Sequence, residues 1–121
     1  MNQFAECTGD PQWIHVDVDR ARAGPFGGTI ANGFLTMSMI GMFVPDLIEV
    51  RGFAHAVNVG LDRLRFLAPV VVGRRIRAVC EVLSAETIKG GIQAVMRVTI
   101  EVEGSEKPAL IADTISRFYP E

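Results

Sequence analysis

Cysteine is nearly absent: Cys7 and Cys80 are the only two, 73 positions apart. Two thiols at that distance match neither a zinc spacing nor a CxxC redox pair, so no metal site is expected and both are read as free, reduced thiols of a cytoplasmic protein. A basic excess is missing as well. Lys+Arg 12 against Asp+Glu 14 leaves a formal net charge of −2, which speaks against a nucleic-acid partner. No apolar run is long enough to cross a bilayer, the densest being Phe34 to Val44. The start, Met1 to Asp10, lacks the basic and apolar stretches of a secretion signal. Internal repeats and low-complexity segments are lacking too, and 121 residues suit one domain.

What the chain does contain changes period part-way along. The opening residues MNQFAECTGD read as a short helix with Phe4 and Cys7 on one face, stopped by Gly9 and Pro11. A second short helix is expected after Asp17, which would cap it. Ala23 to Gly28 is loop chemistry. From Asn32 the residues are apolar on nearly every side up to Pro45, predicting a helix over about 33–44, capped by Asn32 and stopped by the proline. A helix with no polar face is expected to be buried, and Met37, Met39 and Met42 suit an irregular core around it.

After Gly52 the period becomes two. Val57, Val59 and Leu61 alternate on odd positions, then Leu64 and Phe66 on even ones, a parity change that predicts a β-bulge near Asp62. Ile76 to Val82, including Cys80, alternates with charged residues. Gly90-Gly91 marks a turn, Ile92 to Val102 is the cleanest alternation in the chain, and Leu110 to Tyr119 reads as a closing strand. The fold class expected is α+β: antiparallel strands curled around one buried helix, since no other element can cover it.

Two segments carry chemistry. In Thr8-Gly9-Asp10-Pro11-Gln12-Trp13-Ile14-His15, a carboxylate and an imidazole five residues apart flank a proline-containing turn. Such a pair can converge on one water, the carboxylate taking its proton and the imidazole orienting it. Spacing alone equally allows a turn-capping Asp10 and a structural His15. At the helix start, the unpaired N–H of Gly33 can face a developing oxyanion, and the missing side chain permits close approach. An ordinary capped helix has the same pattern.

Taken together, TGDPQWIHVD, PFGGTIANGFLT and RFLAPVVVG resemble the MaoC-like hydratase/dehydratase family, which includes (R)-specific enoyl-CoA hydratases and nodulation-protein N-like proteins; the resemblance spans essentially all 121 residues. It implies a single hot-dog domain over 1–121, pairing as a homodimer in the cytoplasm. It further implies a hydro-lyase of fatty acid metabolism, performing reversible syn hydration of a trans-2-enoyl thioester. Asp10 would be the general base, His15 would hold the water and share in proton transfer, and the Gly33 N–H would contact the thioester carbonyl. No cofactor is implied, because CoA or an acyl carrier enters as part of the substrate. Three positions depart from the usual pattern. Gln12-Trp13 replaces Asn-Pro, Asn32 replaces a common His, and the sequence begins almost at the GD motif, so a sheet lacking the usual N-terminal strand is expected.

Asn32, Trp13 and Phe26 are candidates for substrate contact, with Met37 and Met39 as further acyl-pocket or core residues. Arg65, with Arg63 beside it, is a candidate for CoA phosphate, as is the cluster Arg74, Arg75 and Arg77; solvated strand faces carry arginines just as readily. His55 reads as structural. A hot-dog thioesterase is the nearest enzymatic alternative, but it needs a helix carboxylate that Asn32 to Val44 lacks. A non-catalytic acyl-thioester binding or assembly protein is the alternative outside enzymology.

Overall fold

A computed structural model describes all 121 residues. The N-terminal layer is three short helices, α1 (Asn2–Thr8), α2 (Trp13–Val16) and α3 (Val18–Arg22). Gly9 ends α1 in the left-handed conformation (φ 69°), where glycine meets no Cβ penalty. Asp17 caps α3 as expected, accepting from the Arg20 N–H at 3.0 Å. Ala5 and Ala21 are the buried contacts of this layer.

The expected single helix is two, α4 (Gly33–Ser38) and α5 (Ile40–Leu47), broken at Met39. Pro45 does not stop it. An interior proline loses its N–H from the ladder and crowds the preceding turn, yet α5 runs two residues further and closes with Ile48 N–H on Val44 O at 2.9 Å. The sheet curls against the helix as expected but buries only one side of it. Met37, Met39, Ile40, Phe43 and Val44 pack on the core, whereas Phe34, Met42 and Leu47 are 63%, 52% and 47% exposed. Four strands of one chain cover one flank of the helix and leave the other open.

Those strands are β1 (His55–Phe66), β2 (Ile76–Ile88), β3 (Gly91–Val102) and β4 (Leu110–Tyr119), all antiparallel in the order β1-β4-β3-β2. Consecutive strands β1 and β2 therefore lie at opposite edges, a crossover that period alone does not reveal. The expected bulge is present: register slips between Asp62 and Arg65, with Arg63 at φ 54°, and again between Asn58 and Gly60. Gly91 opens β3 where a Cβ would come within 2.3 Å of the Phe118 carbonyl, so the close approach of β4 requires glycine there. The core lies between β3 and β4 and the inner side of the helix: Val98, Ile100, Val102, Ala109, Leu110 and Ala112. Ile92, at the head of the alternating run, is 49% exposed.

One further segment positions the site. Residues 29–31 run between the N-terminal layer and the chain after β1. Ile30 N–H donates to Ile14 O (2.9 Å), Ala31 N–H to Val70 O (2.8 Å) and Val72 N–H to Thr29 O (2.8 Å). Ile30 and Val71 form an isolated bridge.

Candidate active site

Asp10 follows the left-handed turn at Gly9 that ends α1, its backbone N–H tied to Ala5 O at 3.0 Å. His15 lies in α2 and is buried. Its Nδ1 stands 2.8 Å from the Ile30 carbonyl. A carbonyl oxygen only accepts, so Nδ1 carries the hydrogen and Nε2 of the neutral ring is left as an acceptor. That Nε2 faces Asp10 Oδ2 at 3.9 Å. The gap is too long for a direct hydrogen bond and short enough for one small molecule to touch both groups. The chain thus brings together the two residues that the GD-x-x-x-x-H spacing singles out.

A third residue joins them in a manner that local sequence rules did not indicate. Asn32 holds the N-cap position of α4, yet its side chain makes no capping bond. Its Nδ2 donates instead to Asp10 Oδ2 at 2.8 Å. Asn32 is 1% exposed, and its Oδ1 is buried without a hydrogen-bond partner. The expectation of a side-chain cap is therefore corrected: an acid 22 positions earlier captures the amide.

Gly33 opens α4 beside this cluster. A Cβ there would come within 3.2 Å of the Phe66 ring, which packs over the glycine and meets Phe34 edge-on at 6.2 Å. Phe66 is a neighbour of the site that β1 delivers from the far end of a strand; its place in an apolar alternation gave no sign of this.

The remaining expected residues lie elsewhere. The Trp13 ring carries the Arg20 guanidinium at 4.3 Å and abuts Gly24, where an added Cβ would come within 3.1 Å, so it stitches α3 and the following loop to α2. Phe26 is an exposed loop residue, 39% accessible. Arg65 is exposed and donates to its neighbour's carbonyl, Leu64 O, at 2.8 Å. None of these three makes a hydrogen bond or ring contact with Asp10, His15 or Asn32. Of the other arginines, Arg75 pairs with Glu103 at 2.7 Å and Arg77 with Glu101 across β2 and β3. The Arg75 guanidinium holds the Glu103 carboxyl below the usual range. His55 stacks on Tyr119 at 5.1 Å. The helix continuation past Pro45 adds one acid, Asp46, which is exposed.

A groove of about 940 Å³ separates α4 and α5 from β1 and β4, lined by Met37, Ile40, Val44, Phe53, Leu61 and Phe118, with the Ser116–Asn58 hydrogen bond (3.1 Å) on its floor. It exists because β1 pairs with β4, and the sequence order of the strands conceals that pairing.

The chain as a whole is similar to several known proteins. A family profile described as "MaoC like domain" matches residues 1–104. The chain is 48% identical over 119 residues to 3-hydroxyacyl-thioester dehydratase Z of Mycobacterium tuberculosis (strain ATCC 25618 / H37Rv), covering 98% of this chain and 79% of that protein. It is 43% identical over 126 residues to Nodulation protein N of Rhizobium leguminosarum bv. viciae, covering 99% and 78%. The solved (R)-hydratase from A. caviae involved in PHA biosynthesis superposes with a TM-score of 0.78 at 23% identity, covering 95% and 82%, a likeness of fold.

Proposed function

The chain belongs to the MaoC-like domain family, and on that premise we propose that it is an (R)-specific enoyl-thioester hydratase, equally a 3-hydroxyacyl-thioester dehydratase. The observation that carries the reading is the 3.9 Å approach of Asp10 Oδ2 to His15 Nε2, with the imidazole held in one tautomer by Ile30 O. One water fits between an anionic oxygen and a ring nitrogen that both accept hydrogen.

In the hydration direction Asp10 takes a proton from that water while His15 Nε2 accepts its other hydrogen and orients it. The water oxygen bonds to C3 of the enoyl thioester, and the C2–C3 π electrons move onto the thioester carbonyl as an enolate. The Gly33 N–H stabilises that oxygen. The proton then passes from the Asp10–His15 pair to C2, so H and OH add to one face because both come from one side of the pocket. Dehydration is the reverse. The reading assigns no metal or redox cofactor, since the acyl carrier, CoA or a protein, arrives with the substrate.

We further propose a homodimer in the cytoplasm. Val57, Val59 and Leu61 of the edge strand are 45%, 44% and 40% exposed, alongside the open flank of the helix; a second copy would remove that apolar surface from water. The free thiols Cys7 and Cys80 suit a reducing compartment.

The test is loss of enoyl absorbance with crotonyl-CoA and with an eight-carbon enoyl-CoA. Turnover to the (R)-hydroxy product is expected, falling roughly 10²-fold or more in Asp10→Asn, as removal of a general base does. A wild-type protein silent on both substrates, or an Asp10→Asn variant of full activity, overturns the reading.

A further inference from the structure

Asn32 is the most deeply buried polar side chain near the site and holds the only buried side-chain polar atom without a partner, Oδ1. An asparagine at an N-cap ordinarily satisfies that oxygen with an N–H of the first helical turn. Here the amide is turned so that Nδ2 reaches Asp10. Its orientation is chemically determined: a carboxylate has no hydrogen to give, so the face presented to it must be the NH2. A residue serving the fold alone would do better capping α4, or as an apolar side chain of the same volume with no oxygen to strand.

The Asp10 side chain, by contrast, is loosely held. It is 49% exposed, and Asn32 Nδ2 is its only hydrogen-bond partner. Asn32 itself is firmly anchored. Its carbonyl accepts from Thr36 N–H at 3.0 Å and from Thr36 Oγ1 at 3.4 Å, while the preceding Ala31 N–H is bonded to Val70 O. Two residues upstream, the Ile30 carbonyl orients His15. One short segment, 30–32, therefore sets both members of the pair, His15 through a backbone carbonyl and Asp10 through a side-chain amide.

We propose that Asn32 is a positioning residue for the base, holding Asp10 Oδ2 at the point from which it and His15 Nε2 meet one water. The inference rests on the hydratase reading. It separates the residue's role from capping and from direct substrate contact: losing the amide lowers the rate of the chemical step and leaves substrate affinity and the fold nearly untouched.

The experiment measures kcat, KM and Tm on the enoyl-CoA substrate for wild type, Asn32→Leu, Asn32→Asp and Asn32→His. Asn32→Leu keeps the volume and loses the donor; kcat is expected to fall about 10- to 100-fold, the scale of a misplaced catalytic group, with KM within about twofold and Tm unchanged or higher because the stranded oxygen is gone. Asn32→Asp, which sets a second carboxylate against Asp10, is expected to lose more. Asn32→His keeps an N–H donor and is expected to recover most of kcat. Wild-type kcat in Asn32→Leu overturns the inference, and so does a loss that follows a lowered Tm equally in all three variants. If the leucine variant does not fold, equal kcat in Asn32→Asp and Asn32→His overturns it by the same logic. A wild-type protein with no turnover brings down the hydratase reading and this inference together, whereas an active wild type with an active Asn32→Leu brings down this inference alone.

Discussion

On the inner face of β3 and β4, Val98, Ile100 and Leu110 leave the surface completely, at 0% exposed. In β1 the same residue types stay nearly half open, Val57 at 45%, Val59 at 44% and Leu61 at 40%. Residue type does not separate these side chains, since valine and leucine occur in both regions. Neighbours do. The central strands have a strand on either side and the inner face of α4 and α5 above them, while β1 has β4 on one side only and a groove beneath the helix. Full burial of a valine or leucine contributes about 1.5–3 kcal/mol, so each half-open side chain leaves part of that stabilisation unrealised until something covers it. The centre completes itself; the β1 flank is shaped for completion from outside.

The largest effect that can break this contrast is a cavity. Ile100→Ala is expected to cost about 3 kcal/mol in urea denaturation, and Val59→Ala less than about 1 kcal/mol at low protein concentration. Equal losses would erase the distinction between centre and edge. A Val59→Ala loss that grows with protein concentration would sharpen it, showing a second copy seated on the flank.

A smaller effect is expected from charge. Arg97 on β3 grips Asp113 on β4 through two hydrogen bonds, 2.8 and 2.9 Å, and holds the buried Asp113 carboxyl below its usual range. A carboxyl depressed on folding adds stability above its unfolded value, about 3.9, and that contribution disappears as pH falls through the folded value. Arg97→Ala is therefore expected to lower the urea midpoint at pH 7, by less than Ile100→Ala does, with the difference from wild type shrinking at pH 3. Arg75→Ala, at the exposed pair with Glu103, is expected to leave the midpoint unchanged at both. Equal effects of the two arginines would break the contrast.

The smallest effect concerns reactivity alone. Burial pushes the Cys80 thiol up, on β2, while Cys7 lies exposed on α1. At pH 7.5 a thiol reagent is expected to label Cys7 first and Cys80 several-fold more slowly, as mass spectrometry of timed samples would show. Equal rates would mean that the β2 edge opens as readily as the surface helix.

Which features were legible in the sequence follows the same division between local and distant causes. The alternation of Ile92 to Val102, the hairpin at Gly90-Gly91, the cap at Asp17 and the parity change at Asp62 are short-range signals, and each is found in the structure. Asp10 and His15 are five residues apart, so a turn suffices to bring them together. What stayed hidden depends on contacts far along the chain. A local rule makes Asn32 a cap, and Asp10 overrides it from 22 positions away. Trp13 looked available for a ligand, and Arg20 with Gly24 occupies its ring. An apolar helix looked buried, because the pattern of residues does not count how many strands stand ready to cover them.

The strand order has a consequence for how the molecule is made. β1 emerges from the ribosome ahead of β2 and β3, yet its partner is β4, with His55 opposite Tyr119 and Phe66 opposite Leu110. The β2–β3 hairpin needs only neighbouring residues to close; β1 has no strand to join until the closing segment docks. Through that interval an apolar strand with open N–H and C=O groups is available to any other nascent chain. Because pairing across so much sequence is slow to form, the docking of residues 110–119 is the step on which protection of β1 waits.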